Sequence, residues 1–234
     1  MRVLVPMAGD DTTPEGEQVN IYGNHVGSWN FAATAYLNRW KVKIYYEHYF
    51  DDHSQMFFQY GRWKDGHIGL EITFPKNRFI DTFVYEGLGT KDQTGPMLYD
   101  SFWGKFEEQI SAKNNYYNHY LYQGWQHWGM GIGNPLLPGP IYNKNGQITF
   151  ISNRVLAHHI GFCGSPCQSL SYRMLLSYSR HWGTYDNPLN EIKKQFNSLF
   201  EVTYAPQQLK GWSFTVSGAM DRGSILGNNY GGML

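Results

Sequence analysis

Polar and apolar residues alternate along several stretches of the chain, and the period is two. Between Trp40 and Phe50 the even positions are Trp40, Val42, Ile44, Tyr46, His48 and Phe50, and the odd ones are Lys41, Lys43, Tyr45, Glu47 and Tyr49. Successive strand residues point to opposite faces, so this segment predicts a strand with one aromatic-aliphatic face and one charged face. Trp29, Phe31, Ala33, Ala35 and Leu37 repeat the pattern against Ser28, Asn30, Thr34 and Tyr36. Ile68, Leu70, Ile72 and Phe74 face away from His67, Glu71 and Thr73. Leu170, Tyr172, Met174, Leu176 and Tyr178 alternate with serines and Arg173. Phe196, Phe200, Val202 and Tyr204 oppose Asn197, Glu201 and Thr203, and Trp212, Phe214, Val216 and Met220 oppose Ser213, Thr215, Ser217 and Asp221. Phe79 to Gly87 and Arg154 to Cys163 read as strands with a less regular pattern.

These segments make eight strands, and residues 227–234 read as the start of a ninth. Asn38-Arg39, 75–78, 164–168 and 205–210 are short connectors; 51–66, 88–153 and 181–195 are long ones. Strict alternation of short and long connectors predicts an antiparallel up-and-down meander, as in a transmembrane β-barrel with tight turns at one rim and long loops at the other. The prediction requires the 88–153 segment to contribute zero or two strands to the sheet. A charge facing the bilayer midplane costs about 2–4 kcal/mol, so Lys41, Lys43, Glu47, Arg173 and Glu201 are expected to face a watery interior. Trp29, Trp40, Tyr204 and Trp212 suit interfacial girdles. The other arrangement compatible with the pattern is a soluble barrel or sandwich with one polar face.

Composition narrows the function. The 234 residues hold 19 Lys+Arg against 19 Asp+Glu, which removes the electrostatic case for a nucleic-acid partner. Aromatic residues reach 17% and charged residues only 16%, a balance that suits an all-β protein with many aromatic strand positions. No apolar run of about 18 residues is present, so no transmembrane helix is expected. Cys163 and Cys167, in Phe-Cys-Gly-Ser-Pro-Cys-Gln, suit either a local disulfide or two incidental thiols and are too few for a four-ligand zinc site. The amino terminus has no apolar core of signal-peptide length, and the last strand stops early. The whole chain, 1–234, therefore reads as one barrel domain that is an incomplete part, about eight to nine strands, of a larger barrel, with Met1 an internal methionine.

The segment at about 88–153 differs in character and is expected to form a long extracellular loop. It contains Asn114-Asn115-Tyr116-Tyr117-Asn118-His119-Tyr120-Leu121-Tyr122, then Gly124-Trp125-Gln126-His127-Trp128-Gly129. Sugars present flat C–H faces and hydroxyl edges, which proteins meet with aromatic rings beside amide and imidazole groups. Tyr116, Tyr117, His119, Trp125, His127 and Trp128 are accordingly the candidate polysaccharide-binding residues. The same composition suits a loop that packs its own aromatics over the barrel mouth, and the sequence leaves both open.

Gly124-Trp125-Gln126-His127-Trp128-Gly129 followed by Gly131-Ile132-Gly133-Asn134-Pro135 resembles the Gly-Trp…Gly…Ile-Gly-x-Pro signature of the Wzi capsule-assembly family, especially its Bacteroidetes-type members. Similar blocks occur at Tyr49-Phe50-Asp51-Asp52-His53-Ser54, Pro75-Lys76-Asn77-Arg78-Phe79, Thr90-Lys91-Asp92-Gln93-Thr94-Gly95-Pro96 and Asn153-Arg154-Val155 through His158-His159. Two more are Ser179-Arg180-His181-Trp182-Gly183-Thr184-Tyr185 and Met220-Asp221-Arg222-Gly223 to Gly227-Asn228. The likeness runs from about Gln18 onward and is to the carboxy-terminal half of such a protein; the two cysteines are not part of it. It implies an outer-membrane barrel of about eighteen strands, an even number as such barrels have. It also implies a non-enzymatic, lectin-like role in anchoring capsular polysaccharide at the cell surface, with outer-membrane lipid as the other partner and no cofactor.

Two other functions compete: a porin-like channel, favoured by the polar interior, and a barrel-embedded hydrolase. For the hydrolase the sequence offers little. Glu107-Glu108 and Asp51-Asp52 are adjacent pairs that a strand would point oppositely, and no Gly-x-Ser-x-Gly elbow occurs. His158 and His159 would likewise face opposite sides, and His119 with His127 is the remaining pair, so no metal is expected.

Overall fold

The structure is a computed structural model that describes residues 11–12, 26–50, 65–77, 79–96, 111–113, 115–119 and 124–234. Its centre is one antiparallel sheet of nine strands. In chain order the sheet holds β1 (Gly27–Leu37), β2 (Trp40–Phe50), β3 (Gly66–Thr73) and β4 (Thr82–Gly89). Four short strands then lie outside it: β5 (Thr94–Pro96) with β6 (Ser111–Lys113), and β7 (Gln126–His127) with β8 (Met130–Gly131). The sheet resumes with β9 (Val155–Cys167), β10 (Leu170–Gly183), β11 (Pro188–Tyr204), β12 (Phe214–Gly223) and β13 (Asn229–Met233). Every strand of the sheet pairs with its chain neighbour, and β4 pairs directly with β9 across the loop. Between the end of β4 and the start of β9, the described residues therefore contribute no strand to the sheet. The sheet is not closed: β1 and β13 each have one partner among the described strands.

Register carries one polarity across all nine strands. Phe31 pairs with Tyr46, Tyr46 with Ile68, Leu70 with Tyr85, Tyr85 with Ile160, Ile160 with Leu176, and Val202 with Val216. All of these side chains share one face. The neighbouring rows, such as Lys43 with Glu71, Glu86 with His159, and Arg173 with Glu201, make the other. On that polar face Lys41 Nζ stands 3.4 Å from Glu71 Oε1 and Arg173 Nη2 3.2 Å from Glu201 Oε1. The apolar face is bare: Phe31, Ile44, Ile68, Phe200 and Val216 are each more than half exposed, and no second sheet stacks on it among the described residues. Its mid-strand polar ring is paired, His158 Nδ1 meeting the Tyr85 hydroxyl at 2.8 Å with the rings stacked.

The expected girdle residues divide between the rims. Trp40, packed on Phe74, lies at the short-turn rim with Tyr204 and with Trp212 stacked on Phe214. Trp29 sits at the opposite end, against Phe50. The expected strict alternation of short and long connectors is corrected. The 181–195 connector is only 184–187, because β10 runs on to Gly183 and β11 begins at Pro188, whereas the 205–210 connector at the opposite rim lengthens to 205–213, because β12 begins only at Phe214. The 164–168 turn shrinks to Gln168-Ser169, since β9 continues through Cys167. At 181–195 and 164–168 backbone pairing extends the strands beyond the stretch where apolar alternation marks them. Residues 79–81 are a turn rather than strand: Asn77 Oδ1 accepts from the Phe79 and Ile80 amides at 2.9 Å, which delays β4 to Thr82. Cys163 and Cys167 are both free thiols.

Candidate functional site

The buried apolar residues sit at one end of the sheet, beneath the loop. Leu88, Val155 and Ala157 of the sheet's long-loop rim pack with Tyr117, Leu137 and Phe150 of the loop. Beside them a cavity of about 760 Å³ opens between the loop and the polar face. Ser28 of β1 and Asn197 of β11 both line it, so the sheet curves around it.

The floor of the cavity is polar. His67 lies between two carboxylates, its Nδ1 3.7 Å from Glu47 Oε2 and its Nε2 3.5 Å from Glu86 Oε1. The Tyr45 hydroxyl donates to Glu86, its ring lying over Gly69, where a Cβ would overlap it. Ser28 Oγ donates to Glu47 at 2.7 Å, and Asn197 Nδ2 donates to Asp221 at 2.6 Å. His159 Nδ1 meets Ser177 Oγ at 2.7 Å. Glu86, His159 and Ser177 occupy one row on three adjacent strands, the residue types of a nucleophilic triad. However, Glu86 is engaged by Tyr45 and His67, and no Glu86–His159 hydrogen bond is present among the described residues. The carboxylate that would orient the imidazole is thus used elsewhere. The row reads chemically as a polar lining able to donate to and accept from hydroxyl-rich ligands.

A buried polar lock fixes the loop over this floor. Asp65, just before β3, is 2% exposed and accepts from the Tyr116 hydroxyl at 2.7 Å and from the backbone amides of Asp92 at 2.8 Å and Gln93 at 2.5 Å. Burial raises its carboxyl pKa above the ordinary aspartate value, an effect opposed by these three donors. Asn153, fully buried, donates to Asn115 Oδ1 at 2.6 Å and to the Tyr116 carbonyl at 2.8 Å. Its own carbonyl accepts from Thr90 Oγ1 at 2.7 Å and Gln93 Nε2 at 2.9 Å. Asn118 bonds the Phe150 backbone in both directions, at 2.8 Å each way. Buried polar groups with this density of partners hold one conformation.

Above the lock, β7 and β8 form a hairpin whose two turn residues, Trp128 and Gly129, have φ of 52° and 79°. Left-handed values at both central positions match the turn that two-residue hairpins favour, one that normally selects Asn-Gly. A tryptophan there is strained, and the geometry is held by neighbours: Gln126 Oε1 accepts from the Gly129 amide at 2.7 Å, and the Gly129 carbonyl accepts from Ile141 at 2.8 Å. The result presents the Trp128 ring 84% exposed, with His127 6.2 Å away between ring centres.

The six candidate binding residues are thereby sorted. His127 and Trp128 are exposed at the hairpin tip. Trp125 is half-buried and stacks on Tyr117 at 6.1 Å. Tyr116 and Tyr117 are buried, the first in the lock and the second against Phe150 at 5.1 Å, although both border the cavity. His119 is half-buried beside Asn118. Glu107-Glu108, Asp51-Asp52, Tyr120 and Tyr122 lie outside the described residues. His158 and His159 do point to opposite faces, toward Tyr85 and Ser177. Among the described residues no group of three or more His, Cys, Asp or Glu is placed to hold a metal ion. Sequence reasoning missed Asp65, Gln93 and Asn153 as the anchors. The last two fall within the Thr90–Pro96 and Asn153–His159 blocks, where a polar residue next to a strand start was the available signal.

Fold and site together define an all-β chain: a single-layered antiparallel meander with one bare apolar face and a polar face roofed by a locked loop. The protein-family models, the curated proteins and the solved structures contain no match to it.

Proposed function

We propose that this chain is part of an outer-membrane β-barrel that holds capsular polysaccharide at the cell surface without chemical turnover. The observation that carries the membrane part is the polarity of the sheet. Its bare face is aliphatic and aromatic through the strand mid-sections, while Lys41, Lys43, Glu47, Glu71, Glu86, Arg173 and Glu201 all share the opposite face. In water such a face would be a large exposed apolar patch; in a bilayer it meets acyl chains, and the polar face lines the barrel interior. The rows of Tyr, Trp and Phe near the strand ends suit the headgroup level.

The ligand part rests on the resemblance to the Wzi family and on the hairpin tip. An exposed Trp128 beside His127, held on a strained turn, offers a ring face to a sugar and a polar partner to its hydroxyls. Loss of the parent gene is expected to release capsule into the medium with its composition unchanged. If capsule synthesis itself stopped, the anchoring reading would fail.

A porin-like channel is the second reading, favoured by the polar face. The loop packed over the cavity, held by Asp65 and Asn153, weighs against a wide pore. Single-channel conductance in planar bilayers separates the two.

A further inference from the structure

Register puts Arg180, Lys194 and Arg222 on the apolar side of the sheet at the long-loop rim, and Arg154 and Lys91 lie beside them just before β9 and just after β4. Arg180 pairs with Lys194, and Arg222 lies one row from Lys194 through Phe196. Arg154 pairs with the end of β10, its amide donating to Gly183 and its carbonyl accepting from Trp182. Lys91 continues the row beyond β4, where its carbonyl accepts from Arg154 Nε at 3.4 Å. Directly below them the same face is apolar: Leu156 on β9, Tyr178 and Leu176 on β10, Phe196 on β11 and Met220 on β12. From Arg180 down to Leu170 is ten residue steps, about 33 Å along the strand and about 25 Å along a barrel axis at a tilt of about 40°. That matches the height of an acyl-chain band, so the cations stand at the level of the outer headgroups.

Three of the five cations are held by aromatic rings. Lys91 Nζ and Arg180 lie 4.7 and 5.0 Å from the Trp182 ring centre, and Arg154 lies 3.6 Å from that of Tyr185. Cation–π contacts fix the direction of a cation and leave its charge unneutralised. None of the five forms an ion pair with a carboxylate among the described residues. Of the adjacent acids, Asp186 accepts from Asn115, and Asp221 on the polar face accepts from Asn197. Arg180 Nε is buried with no hydrogen-bond partner. A buried donor of a charged group left unpaired is costly, and a phosphate oxygen is a geometric match for a guanidinium.

We infer that Lys91, Arg154, Arg180, Lys194 and Arg222 form a docking belt for phosphate-bearing glycolipid headgroups of the outer leaflet. The inference rests on the outer-membrane reading. It favours lipid over an acidic polysaccharide because the belt tops the apolar face instead of facing the cavity or the hairpin tip.

The test uses the intact barrel protein of which this chain is part, inserted into phosphatidylcholine vesicles with and without a diphosphorylated lipid A, and with the same lipid A after phosphatase treatment. Insertion is read by protease protection, and glycolipid retained through mild detergent extraction is read by native mass spectrometry. Insertion into all three, with retention only of the phosphorylated glycolipid, is the expected result. The triple variant Arg180→Gln/Lys194→Gln/Arg222→Gln should insert normally and retain at least about tenfold less. Equal retention of the dephosphorylated lipid, or undiminished retention by the triple variant, would overturn the belt. So would weakened binding of added soluble acidic polysaccharide by the triple variant with its glycolipid retention unchanged. Failure to insert into any vesicle, phosphatidylcholine included, would overturn the outer-membrane reading and the belt with it.

Discussion

The hydroxyl of Tyr116 donates to Asp65 across 51 positions of sequence, at 2.7 Å, and this bond ties the loop to the first residue before β3. Replacing Asp65 by Ala removes the one acceptor shared by three donors. Leaving a buried donor unpaired costs about 1–3 kcal/mol. The expected outcome for Asp65→Ala is faster amide exchange across 115–119 and 124–153 with unchanged protection in β9 to β12. Unchanged exchange in the loop would remove Asp65 as its anchor.

The same residue sets a pH dependence. Burial holds its folded-state pKa above the ordinary, unfolded value, so the folded state binds the extra proton between the two. Its contribution is therefore greatest below the unfolded pKa and declines as pH rises through the folded one. Loop protection in the native chain should weaken on raising the pH through and just above the ordinary carboxylate range. Exchange followed against pH checks this, and the slope should vanish in Asp65→Asn.

Trp128 and Tyr117 should part company on substitution. Trp128→Ala removes an exposed ring and is expected to change stability by less than about 0.5 kcal/mol, yet to weaken capsule binding about tenfold. Trp128→Gly should also relieve backbone strain at φ 52°, raising hairpin stability while binding falls. Tyr117→Ala leaves a hole against Phe150 and Trp125 and should cost about 3–5 kcal/mol, as large aromatic truncations do. Binding isotherms with purified capsule, read beside thermal unfolding, separate the roles.

Charge placement gives another contrast. Leu176→Lys puts a cation on the bare face and should destabilise the inserted barrel by about 2–4 kcal/mol near mid-bilayer, with little effect expected from Leu175→Lys on the polar face. Urea titration of the inserted protein checks the difference.

The strand mid-sections were legible because burying or exposing one face imposes period two on residue type. That is why Trp40–Phe50 carries the same limits in sequence and structure. The signal ends where the apolar demand ends. Beyond Tyr178 the outward side chains become Arg180 and Trp182, so β10 and β11 continue on backbone pairing such as His181 with Lys193, which leaves no mark in composition. The site was legible by region and much less by residue. Aromatic richness located the loop, but whether a ring points in or out depends on long-range partners. Tyr116 turns inward because Asp65 waits for its hydroxyl, and Trp128 turns outward because a two-residue turn projects it. Asp65, Gln93 and Asn153 are polar residues between strands, and only the fold makes them interior.

The central claim is that the face bearing Ile44, Ile160, Leu176 and Val216 meets hydrocarbon. Single spin labels placed in turn along 214–221 of β12, with Cys163 and Cys167 replaced by Ser, report it most directly through collisions with oxygen and with a water-soluble nickel chelate. The account predicts a period of two, with oxygen favoured at 214, 216, 218 and 220 and the chelate at 215, 217, 219 and 221. Chelate access at every position, or a flat profile, would contradict it.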